Sequence, residues 1–228
     1  MDKISKVRSI TLWIFIVPLL TINTCLIIVI YFQEWLALGD GIGPTIPYID
    51  GGTSISRTAR VFPTYFIFKP AMFFTSYLLI KYWLFNKEII AYFDKNHKNI
   101  KKIVFFGIAS AIFLTLHSIF LGIKFDNDLY KLFRRIVMLC FIIFEIVAQT
   151  YLVISIYSLK EKLTNLINKK ILLLKMILVS ILIIVAICSI PIISQEGNKV
   201  FKHALEWDFF VGVITFYLLT FFMWKKNN

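Results

Sequence analysis

Apolar residues gather into six long stretches, at about 10–33, 61–85, 103–123, 132–158, 171–194 and 204–224, separated by short polar segments. Each has the ~20 residues that an α-helix needs to cross ~30 Å of hydrocarbon. None alternates apolar and polar with period two, so the stretches predict helices and not the strands of a membrane barrel. The expected fold class is all-α: one polytopic domain over residues 1–228, a bundle of six transmembrane helices with both termini cytoplasmic.

Composition agrees with this pattern. The chain is 59% hydrophobic and only 17% charged, with a mean hydropathy of +0.79, far from the roughly quarter-charged balance of soluble domains. An integral, multi-pass protein of a cell membrane or endomembrane is expected. The short connections leave no room for a separate soluble catalytic domain or an extramembrane nucleic-acid-binding module. Lys3, Lys6 and Arg8 precede the first stretch as in a signal peptide. However, residues 10–32 outrun a ~7–15-residue signal core and lead to Gln33-Glu34-Trp35 without a small-residue cleavage site, so they predict a span. Cys25, Cys140 and Cys188 all fall inside spans, which leaves no loop disulfide to form. Metal-ligand spacing is absent as well, and no cofactor or metal is expected.

The net charge of +12 changes the picture only in its distribution. The N-tail, the second and fourth connections and the C-tail carry about 14 Lys and Arg residues, against 8 on the opposite side. By the positive-inside rule, that imbalance places both ends in the cytoplasm. The basic fringe suits anionic lipid, at about 1 kcal/mol per residue near the surface, and needs no nucleic acid to explain it. Residues 86–102 and 159–170, short and charged, are expected to be helical extensions of the spans.

The first connection differs in kind. Residues 34–60 hold five of the nine glycines (Gly39, Gly41, Gly43, Gly51 and Gly52) together with Pro44 and Pro47. Asp-Gly and Gly-Pro pairs are turn chemistry, so a folded, non-helical exoplasmic loop is expected. Because it contains Ile46, Tyr48 and Ile49, it should lie back over the end of the bundle and bring Asp50 and Arg57 near Glu206.

Pro47-Tyr48-Ile49-Asp50-Gly51-Gly52 resembles the Pro-Tyr/Phe-Ile-Ser-Asp-x-Gly signature of the six-span family that includes the damage-regulated autophagy modulators and the GPI-lipid-remodelling (post-GPI-attachment) factors. Glu206-Trp207, at the start of the last stretch, is similar to that family's terminal Glu-Trp. The serine before the aspartate is missing here, and Gly-Thr-Ser-Ile-Ser follows. The resemblance implies six helices, cytoplasmic ends and a role in lipid handling or membrane regulation, without licensing a reaction.

Polar groups inside hydrocarbon are costly and therefore functional candidates. Glu145 falls near the middle of its span. Arg134, Met138, Phe141, Glu145 and Gln149 share one helical face by their offsets of four, seven, eleven and fifteen. A carboxylate there must meet a cation or carry its proton. Gln149, His117 and Lys69 are its candidate neighbours, and Glu145 and His117 are the candidate acid/base residues should the protein be an enzyme. The alternative is that Glu145 joins helices as structural glue and that Lys69 extends along its helix to the membrane surface. Pro18, Pro70 and Pro191 lie inside spans, where kinks could open a lipid-accessible groove.

A second constellation is expected at the exoplasmic surface: Asp50, Ser54, Ser56, Arg57, Arg60, Arg134, Arg135, His203, Glu206 and Asp208. Arginine forks bind phosphate bidentately, which makes Asp50, Arg57, Arg60, Arg134, His203 and Glu206 candidate binding residues for a membrane lipid with an anionic or phosphate-bearing headgroup. The same charges could instead pair with one another and pin the loop. Three functional classes stay open: a lipid-associated protein that binds or remodels a headgroup, a non-enzymatic scaffold or regulator acting through a protein partner, and, least favoured, a small-solute transporter.

Overall fold

A computed structural model describes residues 2–32, 42–123, 127–195 and 197–225. Its helices are α1 (Asp2–Tyr31), α2 (Pro47–Asp50), α3 (Ile55–Ala59), α4 (Thr64–Phe93), α5 (Ile100–Phe120), α6 (Asp128–Ser158), α7 (Lys169–Ser194) and α8 (Lys199–Met223). No strand occurs among the described residues; a single bridge joins Ile167 to Trp224. Gly39 and Gly41 of the first connection, Lys124, and the terminal residues Met1 and Asn228 lie outside the described residues.

The six long helices follow chain order around a ring. α1 packs on α4, α4 on α5, α5 on α6, α6 on α7, α7 on α8, and α8 closes back onto α1. α1, α5, α6, α7 and α8 are long and apolar enough to cross a membrane. α4 is as long as α1, but Lys69, Lys81, Lys87 and Glu88 make it more polar. All six share one core: Ile14, Leu79, Ala111, Leu152, Val179 and Phe216 belong to the same buried cluster.

Helix starts are set by local hydrogen bonding. Asn127 Oδ1 accepts from Leu129 N at 2.9 Å to start α6, and Asn168 Oδ1 accepts from Lys170 N at 3.0 Å to start α7. This second cap explains a departure from expectation, since residues 159–166 form turns rather than a helical extension. Leu163 and Ile167 are buried, which draws this connection onto the bundle, where Asn168 N donates to Met223 O (2.8 Å) and Lys225 N to Leu166 O (2.9 Å). The start of α1 and the end of α8 meet at this same end. Arg8 Nε donates to Phe221 O at 3.2 Å, and its guanidinium lies 4.7 Å from the Phe221 ring centroid.

At the opposite end, the first connection corrects a second expectation: it contains the short helices α2 and α3. Pro47 starts α2 with its φ already suited to a helix. Gly51, at φ 58°, ends it in the left-handed conformation. Ser54 Oγ caps α3 by accepting from Arg57 N at 3.2 Å. The segment does fold over the bundle, though Ile46 and Ile49 are not what hold it, being 61% and 81% exposed. Tyr48 packs edge-on against Trp207 with ring centroids 4.8 Å apart. Trp207 Nε1 donates to Thr53 O at 2.9 Å, and Ile55 and Ala59 are buried.

Gly51 is the tightest point of this docking. A Cβ there would stand 2.0 Å from the carbonyl oxygen of Val200 in α8, in a conformation that costs an L-residue about 1–2 kcal/mol. We expect Gly51→Ala to lift the segment from α8 and lower stability by about 1–2 kcal/mol, since a surface segment relieves the clash by detaching. Thermal unfolding in mild detergent checks this. Gly43→Ala is the control, because nothing lies within 4 Å of its would-be Cβ. Equal melting temperatures for the two variants would contradict the docking described.

Candidate functional site

The α6 stripe read from the sequence faces the ring interior. Met138, Phe141 and Glu145 line a cavity of about 90 Å³ together with residues of α1, α3, α4, α5 and α8. Its walls are almost wholly apolar; Ile14, Met72, Leu114 and Ile214 are typical. α7 contributes no lining residue. It lies outside the point where α6 and α8 converge, in a cluster of Ile146, Leu182, Phe209 and Val213.

Glu145 is fully buried and joins three helices. Ser110 Oγ of α5 donates to its Oε2 at 2.6 Å, Gln149 Nε2 of α6 to its Oε1 at 3.1 Å, and Tyr217 OH of α8 also to Oε1. Gln149 Nε2 additionally reaches Val213 O at 3.3 Å. Of the three neighbours expected for Glu145, Gln149 alone bonds to it. His117 lines the same cavity and is 8% exposed. Lys69 turns away and donates to Ile119 O at 3.3 Å. Ser110 and Tyr217 were not foreseen, because their role depends on which helices become neighbours.

A second buried ionisable residue was not marked by the sequence. Lys175 of α7 has no exposed surface. Its Nζ donates to Thr220 Oγ1 at 2.6 Å and sits 3.9 Å from the Phe216 ring centroid. Thr220 is one turn beyond Tyr217 on α8, so Glu145 and Lys175 are held by adjacent turns of the same helix.

At the α3 end of the cavity the expected surface constellation comes together in part. Glu206 lines the cavity and accepts from Ser56 N of α3 at 3.4 Å. Ser56 Oγ also lies 4.0 Å from Met138 Sδ of α6, so α3 spans from α6 to α8. Arg60, the residue that ends α3, keeps an exposed side chain. Its guanidinium is held below its ordinary pKa, first by partial desolvation and then by the nearby charges of Arg134 and Arg57. Arg134 Nε is buried without an acceptor among the described residues, and its guanidinium stands 6.0 Å from the Tyr130 ring centroid. Arg135 and Asp208 are exposed.

Asp50 and His203 serve the docked segment itself. The Asp50 carboxylate accepts from Thr45 Oγ1, Gly52 N and Ile46 N, and these donors hold its pKa below the ordinary carboxylate value. His203 Nδ1 lies 3.1 Å from Gly51 O, tying α8 to the end of α2. No family model, curated protein or solved structure matches the chain.

Proposed function

We propose that the chain is a six-span membrane protein, with both ends cytoplasmic, that binds a lipid carrying a phosphate-bearing headgroup. α4 supplies the sixth span. It is flanked by α1 and α5, and its outward residues Phe66, Phe73, Phe74 and Leu84 are apolar. Lys81 lies over the Tyr77 ring at 4.7 Å, and Lys69 reaches a backbone carbonyl near the end of α5, both tolerable for lysines that extend along a lipid-facing helix. The end carrying Arg8, Lys102 and Lys162 is the cytoplasmic one by the positive-inside rule.

The observation that carries the lipid reading is the proximity of Arg60 and Arg134 beside an apolar cavity. Like charges held close together repel, and a phosphate would relieve Arg60 and Arg134 by accepting from their forked donors. Below the arginines, the cavity presents apolar walls of Ile55, Met138 and Phe141. The two segments that resemble the lipid-remodelling family meet here through Tyr48 and Trp207, which supports a lipid role of the kind that the resemblance implies. The reading is one of binding and assigns no reaction.

Native mass spectrometry of the detergent-solubilised protein with added phosphatidylglycerol tests it. Arg60→Ala combined with Arg134→Ala should weaken binding about tenfold, near 1.4 kcal/mol, and the loss should shrink at high salt. Undiminished binding by a double variant with an unchanged melting temperature would overturn the proposal.

A further inference from the structure

Two carboxylates line the cavity, and they are not equivalent. Glu145 is engaged by three side-chain donors. Glu206 is met only from Ser56 among the described residues, by its backbone N–H at 3.4 Å and by its side chain, and no ion pair forms on it among the described residues. An ionised carboxylate has about four lone-pair positions to offer, so Glu206 keeps unused acceptor capacity directed at an apolar space. It sits beside the arginine cluster because α3 joins them: Ser56 touches Glu206, and Arg60 ends the same short helix.

From this we infer that the headgroup is zwitterionic, a phosphate bearing a primary amine, with the phosphate on Arg60 and Arg134 and the ammonium on Glu206. A phosphate alone would answer the arginines and leave Glu206 without a cation. A primary ammonium supplies hydrogen-bond donors to a carboxylate, whereas a quaternary ammonium has none to give and is held instead by aromatic faces. The selectivity expected is therefore for phosphatidylethanolamine over phosphatidylcholine. The two lipids share their phosphate and differ only in the amine.

This inference rests on the lipid reading above, and its test separates the two. Phosphatidylethanolamine, phosphatidylcholine and phosphatidylglycerol of identical acyl chains are titrated into the detergent-solubilised protein, with bound lipid read by native mass spectrometry. The wild type should bind the ethanolamine lipid about five- to tenfold tighter than the choline lipid. Glu206→Gln removes the charge at constant shape and should bring that ratio to near one. Equal wild-type affinity for the ethanolamine and choline lipids would overturn the inference while leaving arginine-dependent lipid binding intact, and needs no variant to show it. A preference that persists in Glu206→Gln would overturn the assignment to Glu206. Failure to bind any of the three lipids would remove the lipid reading itself.

Discussion

Replacing Glu145 with alanine should destabilise the bundle by about 2–4 kcal/mol, whereas Glu145→Gln should cost less than about 1 kcal/mol. The contrast follows from where each donor goes when its acceptor is removed. Ser110 Oγ retains Gly107 O at 2.9 Å, and Gln149 Nε2 retains Val213 O. Tyr217 OH has Glu145 as its one acceptor among the described residues, and the ring is almost fully buried between Tyr82 and Phe216. Alanine thus leaves a buried hydroxyl unpaired, at about 1–3 kcal/mol, and enlarges the cavity besides. Glutamine keeps the side-chain oxygen that Tyr217 needs. Unfolding in graded denaturing detergent measures both variants, and an alanine variant as stable as the glutamine one would show that the network carries no stability. Tyr217→Phe should recover part of the alanine loss when combined with it, because the orphaned hydroxyl is then gone.

Gly107→Val is expected to be comparably damaging, at roughly 3 kcal/mol. Gly107 faces Trp83 across the α4–α5 contact, and a Cβ there would lie 2.3 Å from Trp83 Cγ and 2.4 Å from Cδ2. Those are the inner atoms of the indole, next to the backbone, and cannot swing aside as a flexible tip would. Trp83 is itself fully buried and packed edge-on against Tyr82 at 4.9 Å. Relief therefore requires α4 and α5 to separate, which also moves Ser110, one turn from Gly107, away from Glu145. Loss of helix packing by this route is read from unfolding. A double variant Gly107→Val with Trp83→Leu should regain stability if the clash is the cause, and no recovery would point elsewhere.

The sequence made the helices legible because a ~20-residue apolar run has few other uses, and it made the inward face of α6 legible because Glu145 and Gln149 stand out against lipid-facing neighbours. Lys175 illustrates the opposite case. It lies on a stripe with Leu172, Val179 and Leu182, all buried, but α7 is apolar on every side, so no periodicity marks that stripe as the inner one. A lysine six residues into a helix also reads as a snorkelling end. The partners Ser110 and Tyr217 were invisible for a different reason. Small and aromatic polar residues occur throughout the spans, and only the ring arrangement selects which of them meet Glu145. The two helical turns of the first connection were obscured by the surrounding glycines, although Pro47 at a helix start and Ser54 three residues before Arg57 are ordinary capping signals.

The ring closes between its first helix and its last, and this bears on how the protein is made. During synthesis α1 to α7 leave the ribosome before α8 does, so the cavity lacks one wall and Glu145 lacks Tyr217 until α8 has been made. Through that interval a carboxylate and the lysine at 175 stand in a half-built bundle without their final partners. Arrival of α8 settles both at once through Tyr217 and Thr220, and brings Phe221 to Arg8 and Glu206 to Ser56 at opposite ends of the bundle. A chain truncated within α8 thus leaves two ionisable side chains of the bundle without their partners, and α8 acts as the latch that closes the bundle.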